Sequence, residues 1–158
     1  MKFDRKLQLL RDASGVEPVQ FAALCMRRKA GRMQVLMITS RDTGRWVLPK
    51  GWAKDGHSQG ESALAEAWEE AGVVGRLTGP AIGTYVSQKM LVANEPMPCR
   101  IEVHPVHVDK LLAKFPEKGQ RRRRWMTIKR AVKSVAEPEL AALLRGLRTR
   151  TDLHSGPA

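Results

Sequence analysis

The stretch Ser58-Gln-Gly-Glu-Ser-Ala-Leu-Ala-Glu-Ala-Trp-Glu-Glu-Ala71, closed by Gly72, constrains this chain more than any other. It is dense in strong helix formers, and glycine is the residue that most readily terminates a helix in left-handed geometry, so a helix over 58–71 is expected. At about 100° per residue, Leu64, Ala67, Trp68 and Ala71 fall on one face and Ser62, Glu66, Glu69 and Glu70 on the opposite one. The apolar face needs a packing partner, with Trp68 expected in the core. Three carboxylates on one helix side repel each other, an arrangement usually kept where a cation neutralises it. Oxygen ligands suit a hard ion such as magnesium or manganese, which also reaches substrate phosphates. Taken alone, however, three acids fit a solvated acidic face just as simply.

The flanking sequence reads as strands. Residues 18 to 28 and 34 to 40 form a candidate hairpin across Lys29-Ala-Gly-Arg32, and a turn over 41–45 leads to a short strand, Trp46-Val47-Leu48, stopped by Pro49. A Gly- and Lys-rich loop follows from Lys50 to Gly60. Beyond the helix, residues 73–77, 82–92 and 100–108 read as strands, with Asn94-Glu-Pro-Met-Pro98 as a turn. The apolar phase within 100–108 passes from Ile101 and Val103 to Val106 and Val108 at Pro105, predicting a bulge or an edge position there. A strand over 120–126 and helices over 128–135 and 138–147, the second opened by Pro138, complete one domain over residues 1–148. Residues 149–158 lack periodicity and read as a disordered tail.

The whole segment from Gly51 to Val73 changes the weight given to the acids. It resembles the Nudix box, which runs Gly, five residues, Glu, seven residues, Arg-Glu, an aliphatic residue, any residue, Glu-Glu, any residue, Gly and an aliphatic residue. Gly51, Glu66, Ala67, Glu69, Glu70, Gly72 and Val73 fall in register. Two positions depart from it: His57 stands for the first Glu and Ala65 for the Arg. In the family those two side chains are expected to pair and brace the loop on the helix, so their joint loss removes an interaction without stranding a charge. Glu61 is a partial substitute at most, since its helical angle sets it far from Glu66 and Glu70. Trp46-Val-Leu-Pro-Lys-Gly51 and Glu69-Glu-Ala-Gly-Val-Val-Gly75, with Gly79, Ile82-Gly83, Tyr85 and Lys89, are similar to the diphosphoinositol polyphosphate phosphohydrolase branch and its bacterial relatives.

The resemblance implies an α/β fold of the Nudix-type α/β/α sandwich, with a mixed β-sheet between the box helix and the C-terminal helices. It implies Mg2+ (or Mn2+) held by Glu66, Glu69 and Glu70, lowering the pKa of a water and neutralising charge on the leaving phosphate. Glu66 and Glu70 are the candidate catalytic carboxylates. Lys50, Gly51, Arg41, Arg45, Lys89, Arg121 and Arg123 are the candidate substrate-binding residues, with Lys54 a further candidate cation.

Charge narrows the substrate. Lys and Arg number 28 against 16 Asp and Glu, a net charge of +12, which favours an anionic partner. In Arg121-Arg-Arg-Arg-Trp125, a strand would project Arg121, Arg123 and Trp125 to one side and Arg122 and Arg124 to the other, so half the run at most faces a cleft. The alternative for this run is a solvated edge strand whose charges discourage aggregation. Trp52, in the loop, is the one tryptophan placed to serve as a ligand platform. His104 and His107 fall on opposite strand faces, which argues against a shared metal. Cys25 and Cys99 have no metal-type spacing and read as structural thiols. The N-terminus opens with charge and no long apolar run follows, so the expectation is a cytoplasmic monomer or homodimer with no membrane partner. The expected activity is phosphoanhydride cleavage in a highly anionic nucleoside or inositol diphosphate-type substrate, such as a diphosphoinositol polyphosphate or a dinucleoside polyphosphate. Two rivals remain: hydrolysis of nucleotide sugars, ADP-ribose or nucleoside triphosphates, and non-catalytic binding of nucleic acid or polyphosphate.

Overall fold

The computed structural model describes residues 18–92 and 95–149, with the backbone alone for 89–92, 95–96 and 149. The expected tail over 150–158 and the charged N-terminal residues 1–17 lie outside the described residues. In chain order the elements are β1 (Val19–Lys29), β2 (Arg32–Thr39), β3 (Trp46–Val47), β4 (Lys50–Gly51), α1 (Gln59–Ala71), β5 (Val73–Leu77), β6 (Gly83–Val92), β7 (Glu95–Leu111), β8 (Arg123–Thr127), α2 (Ile128–Ser134) and α3 (Pro138–Gly146), followed by a 3-10 turn, Leu147–Thr149. The hairpin between β1 and β2 turns on Ala30 and Gly31, both at positive φ (52° and 75°), the turn geometry that matches strand twist.

The sheet is mixed, ordered β3-β2-β1-β7-β5, with β4 also on β1, β6 on β7 and β8 on β2. β1 and β7 run parallel from Val19↔Arg100 to Met26↔His107, and the other named pairs are antiparallel. The central strand is apolar on both sides, as a strand covered by helices on both faces must be. Phe21, Ala23 and Cys25 pack with Ala63, Ala67 and Ala71 of α1, while Ala22, Leu24 and Met26 pack in the second layer with Ile128, Ala131, Leu140 and Leu144 of α2 and α3. This is the α/β/α sandwich that the box implies.

Three local expectations are corrected. Glu95 to Pro98 are strand residues of β7 and not a turn, because β7 continues from Glu95 to Leu111 beside β6. The strand expected over 120–126 begins at Arg123. The apolar phase change at Pro105 needs no bulge, since Ile101 and Val103 face the α2/α3 layer and Val106 and Val108 the α1 layer. Pro105 instead sits where the neighbour of β7 changes from β6, which ends its pairing at Val103, to β5, which begins at Val106. Its carbonyl accepts from Thr78 N–H (3.1 Å), and its hydrogen-free nitrogen faces the same gap. The register irregularities lie elsewhere, between Val74 and Gly75 in β5 and between Ser87 and Met90 in β6.

Candidate active site

Helix α1 is anchored at both ends by local chemistry. Ser58 caps it, accepting from Glu61 N–H (3.1 Å) while Glu61 Oε1 accepts from Ser58 N–H (2.7 Å), a reciprocal capping box. Glu61 is thereby committed to the cap, and its exposed carboxyl is held below its usual range by the Ser58 backbone and hydroxyl. Gly72 ends the helix at φ 69°, its N–H donating to Ala67 and Trp68 carbonyls.

The buried face of α1 is rotated from the expected one. Gly60, Ala63, Ala67 and Ala71 meet the sheet, and Trp68, expected in the core, is 43% exposed. Small residues let the helix approach closely: a Cβ on Gly60 would come within 2.8 Å of Leu77 Cδ1. That rotation draws Glu66 (8% exposed) and Glu70 (7%) into the seam between α1 and β4, leaving Glu69 more open.

At the seam the box residues interlock. A Cβ on Gly51 would overlap the carboxyl group of Glu66, so only glycine admits that side chain here. Lys50 N–H donates to Glu70 Oε1 (3.3 Å). Glu70 is pushed up to about 8, first by burial; the Arg121 charge opposes the rise, and its hydrogen bond to Glu66 adds to it. The Lys54 ammonium lies 2.9 Å from Glu66 Oε1 and 3.2 and 3.3 Å from the two Glu69 oxygens. Burial disfavours that ammonium, but its hydrogen bonds and charge pairing with Glu66 and Glu69 outweigh burial and hold its pKa above the usual lysine value. Among the described residues no three His, Cys, Asp or Glu side chains are gathered closely enough to hold a metal as they stand. Glu66 and Glu69 converge on the Lys54 ammonium instead.

The candidate basic residues divide. Arg121 is at the seam, 3.6 Å from Glu70 Oε2, and is also held by Glu117 Oε1 (3.2 Å) and the Thr39 carbonyl (3.3 Å). Arg41 sits on the exposed rim, bonded to Gln120 Oε1 (2.9 Å) and 3.8 Å from Glu117. Arg45 is exposed at the end of the 41–45 turn, its carbonyl accepting from Ser40 N–H. Arg123 projects to the same side as Arg121 but is engaged elsewhere: its Nη1 donates to the Ala71 carbonyl (2.6 Å) and the guanidinium lies 5.0 Å from the Phe115 ring centre, closing the C-terminal end of α1. Arg122 and Arg124 lie over Trp46, on the other face. Lys89 lies in β6, and its side chain is outside the described residues. Trp52 is partly buried against the α2/α3 layer. His104, beside Gly60, pairs with Glu102 (2.8 Å), and His107 lies 3.7 Å from Asp109.

Sequence reasoning gave no role to Glu117 or to Ser62. Glu117 reaches the site because its N–H donates to the Glu69 carbonyl (2.9 Å), which ties the 112–121 loop to the end of α1. Ser62 Oγ accepts from Lys54 N–H (3.0 Å), fastening the box loop to the helix. A serine one turn before Glu66, on the carboxylate side, was the available signal.

Fold comparison agrees with the box. The structure superposes on a C. elegans Ap4A hydrolase with a TM-score of 0.64 at 18% identity, covering 84% of this chain and 97% of that one. Nudix hydrolase 16, mitochondrial, of Arabidopsis thaliana is 36% identical over 118 residues, 72% of this chain. The chain groups with the Nudix hydrolases. Human diphosphoinositol polyphosphate phosphohydrolase 3-beta is 30% identical over 114 residues, 71% of this chain. The chain spans 65% of the length of each of these two curated Nudix relatives. No protein-family model matches it. Among the described residues, no helix of this Nudix fold is long and apolar enough to cross a membrane.

Proposed function

We propose that the chain is a divalent-metal-dependent pyrophosphohydrolase that cleaves a phosphoanhydride bond in a highly anionic substrate, a diphosphoinositol polyphosphate or a dinucleoside polyphosphate. The observation carrying this reading is the seam itself, where Glu66 lies against Gly51, Glu70 accepts from Lys50 N–H, and Glu66 and Glu69 share one cation. Three carboxylates match the oxygen donor set of Mg2+ or Mn2+, and the Lys54 ammonium marks a position at which Glu66 and Glu69 already converge on positive charge. Glu66, Glu69 and Glu70 would hold the ion, which when bound polarises a phosphoryl oxygen and offsets charge on the leaving group.

The chain's own groups take the remaining roles. Glu70, buried at the seam, is the side chain suited to take a proton from an attacking water, with Glu66 as its hydrogen-bonded neighbour. Lys50, Arg121, Arg41 and Arg45 supply positive charge along one edge of the seam for the substrate's other phosphates, and Gly51 leaves room for the Glu66 carboxyl. The net charge of +12 supports the more anionic substrates over nucleotide sugars or ADP-ribose. An acidic cluster at the site's centre disfavours a purely polyanion-binding role. The proposal includes one domain over residues 1–148 and a cytoplasmic location. The name of the Arabidopsis relative assigns that protein to mitochondria.

The test is phosphate and pyrophosphate release, with and without Mg2+, across diphosphoinositol polyphosphates, dinucleoside polyphosphates, nucleoside triphosphates, ADP-ribose and nucleotide sugars. Metal-dependent cleavage confined to the most anionic compounds supports the whole reading. Cleavage confined to weakly charged ones keeps the site and removes the charge argument, and no cleavage overturns the enzyme reading.

A further inference from the structure

The box loop lacks the brace its pattern implies. His57 is exposed, its ring 3.1 Å from the carbonyl of Asp55 and its backbone N–H donating to Lys54, and Ala65 has no polar side chain to meet it. Lys54 nevertheless fastens the loop to α1 from both its backbone and its side chain, beside the bond from Lys50 N–H to Glu70. Lys54 donates from its backbone to Ser62 Oγ (3.0 Å) and from its ammonium to Glu66 (2.9 Å) and Glu69 (3.2 and 3.3 Å). These are two of the three carboxylates assigned above to the metal, so one ammonium performs two jobs: it braces the loop and neutralises the cluster.

We propose that Lys54 is a tethered counter-cation that competes with the divalent metal for Glu66 and Glu69, so that metal loading and the ammonium's share of the loop fastening exclude one another. The proposal rests on the metal-site reading of the preceding subsection. The physical argument has three parts. An ammonium within 3.3 Å of both carboxylates uses the lone pairs and the negative potential that a hard cation needs, so the two cannot occupy the same oxygens. The Lys54 side chain is only 27% exposed, so solvent screens the pairing incompletely and displacing it has a real cost. Coupling between two binders is reciprocal: by whatever factor Lys54 weakens metal binding, metal weakens the attachment of Lys54 and with it the Nζ half of the loop brace. The Ser62 bond to the Lys54 backbone does not involve the carboxylates and persists in both states, leaving a half-fastened loop when the ion is bound. The released ammonium then lies at the mouth of the site with its charge free for a substrate phosphate, while in the metal-free protein the same charge keeps three neighbouring glutamates from repelling one another.

Lys54→Met keeps the length of the side chain and removes its charge. Mn2+ binding to the full-length chain, followed through the electron paramagnetic resonance of free Mn2+ and by calorimetry, is expected to tighten about tenfold in Lys54→Met. Thermal unfolding of this variant is expected to fall below wild type without metal and to recover on adding Mn2+. A chemical readout accompanies these: acylation of Lys54, measured by mass spectrometry with Lys118 as an exposed internal reference, is expected to rise when Mg2+ is added. Unchanged or weaker Mn2+ binding in Lys54→Met, with wild-type binding still abolished by Glu69→Gln, overturns the competition and leaves the metal site standing. Mn2+ binding that Glu69→Gln and Glu70→Gln both leave intact overturns the metal-site reading, and this proposal with it. Lys54 labelling that is indifferent to metal also overturns the competition.

Discussion

The carboxyl group of Glu66 rests against the Cα of Gly51, in space that a single methyl group would fill. Strand β4 and helix α1 are thus joined at one point by the absence of a side chain on one and a charged side chain on the other. Gly51→Ala is expected to displace Glu66, lower hydrolysis at least tenfold, and destabilise the fold by about 1–3 kcal/mol through overpacking. Steady-state kinetics and thermal unfolding measure the two effects; an alanine variant with wild-type values for both would show that the seam yields easily.

Glu70→Gln retains an acceptor for the Lys50 N–H but removes the charge and the proton exchange. Turnover is expected to fall by about 10²-fold or more with the fold intact, as for loss of a general base. A variant of full activity would remove Glu70 from the site.

Protonation of Glu70 also predicts how stability varies with pH. Its folded pKa of about 8 lies above the ordinary glutamate value of 4.5, so the folded chain binds more protons than the unfolded one between those limits. The contribution is therefore fully present below about pH 4.5 and is lost as pH rises through about 8. Metal-free wild type should lose melting temperature across that window, and Glu70→Gln should show a flatter profile. Parallel profiles would argue against the raised value.

Arg121 and Arg123, two positions apart, are expected to separate by readout. Arg121→Ala removes a cation beside Glu70 and should raise KM for polyphosphates most. Arg123→Ala removes a charge-assisted bond to the last turn of α1 and should cost about 1.5–3 kcal/mol, a few degrees in melting temperature, with kcat little changed. Equal kinetic effects would mean that both guanidiniums serve the substrate.

His57→Glu with Ala65→Arg restores the pairing of the box pattern. The loop already has Lys54 as a brace, so the double variant is expected to unfold within about 2–4 °C of wild type. A large loss would show that these two positions are packed around their present residues.

The register of the box, the helix ends and the alternation of β1 were legible because each is a local pattern: an αL glycine, a capping serine, side chains of period two. Trp68 was misplaced because size was taken as a guide to the buried face, whereas the helix approaches the sheet through Gly60, Ala63, Ala67 and Ala71. Small residues carry little hydrophobic weight in a sequence and a great deal in a close contact. Arg121, Arg123 and Lys54 were visible as charges, but their division of labour depends on which partners the 112–121 loop and the box loop bring to α1. Those partners are distant in sequence. The run through Glu95 to Pro98 read as a turn from its prolines, and tertiary pairing with β6 overrode that preference.

Strand β4, which carries Gly51, is held by β1, and β1 is itself held on its other edge by the parallel pairing with β7, residues 19 to 26 against residues 100 to 107. The chain between those segments includes the whole box. A contact so distant in sequence forms only after a long loop has closed, which makes it a slow and late event in folding. While a nascent or refolding chain has not yet closed that pairing, the box helix is complete as a local structure, but the strand that seats its carboxylates is not. Acquisition of divalent-metal affinity during refolding should therefore trail the helical signal, making the ion a reporter of the last long-range step.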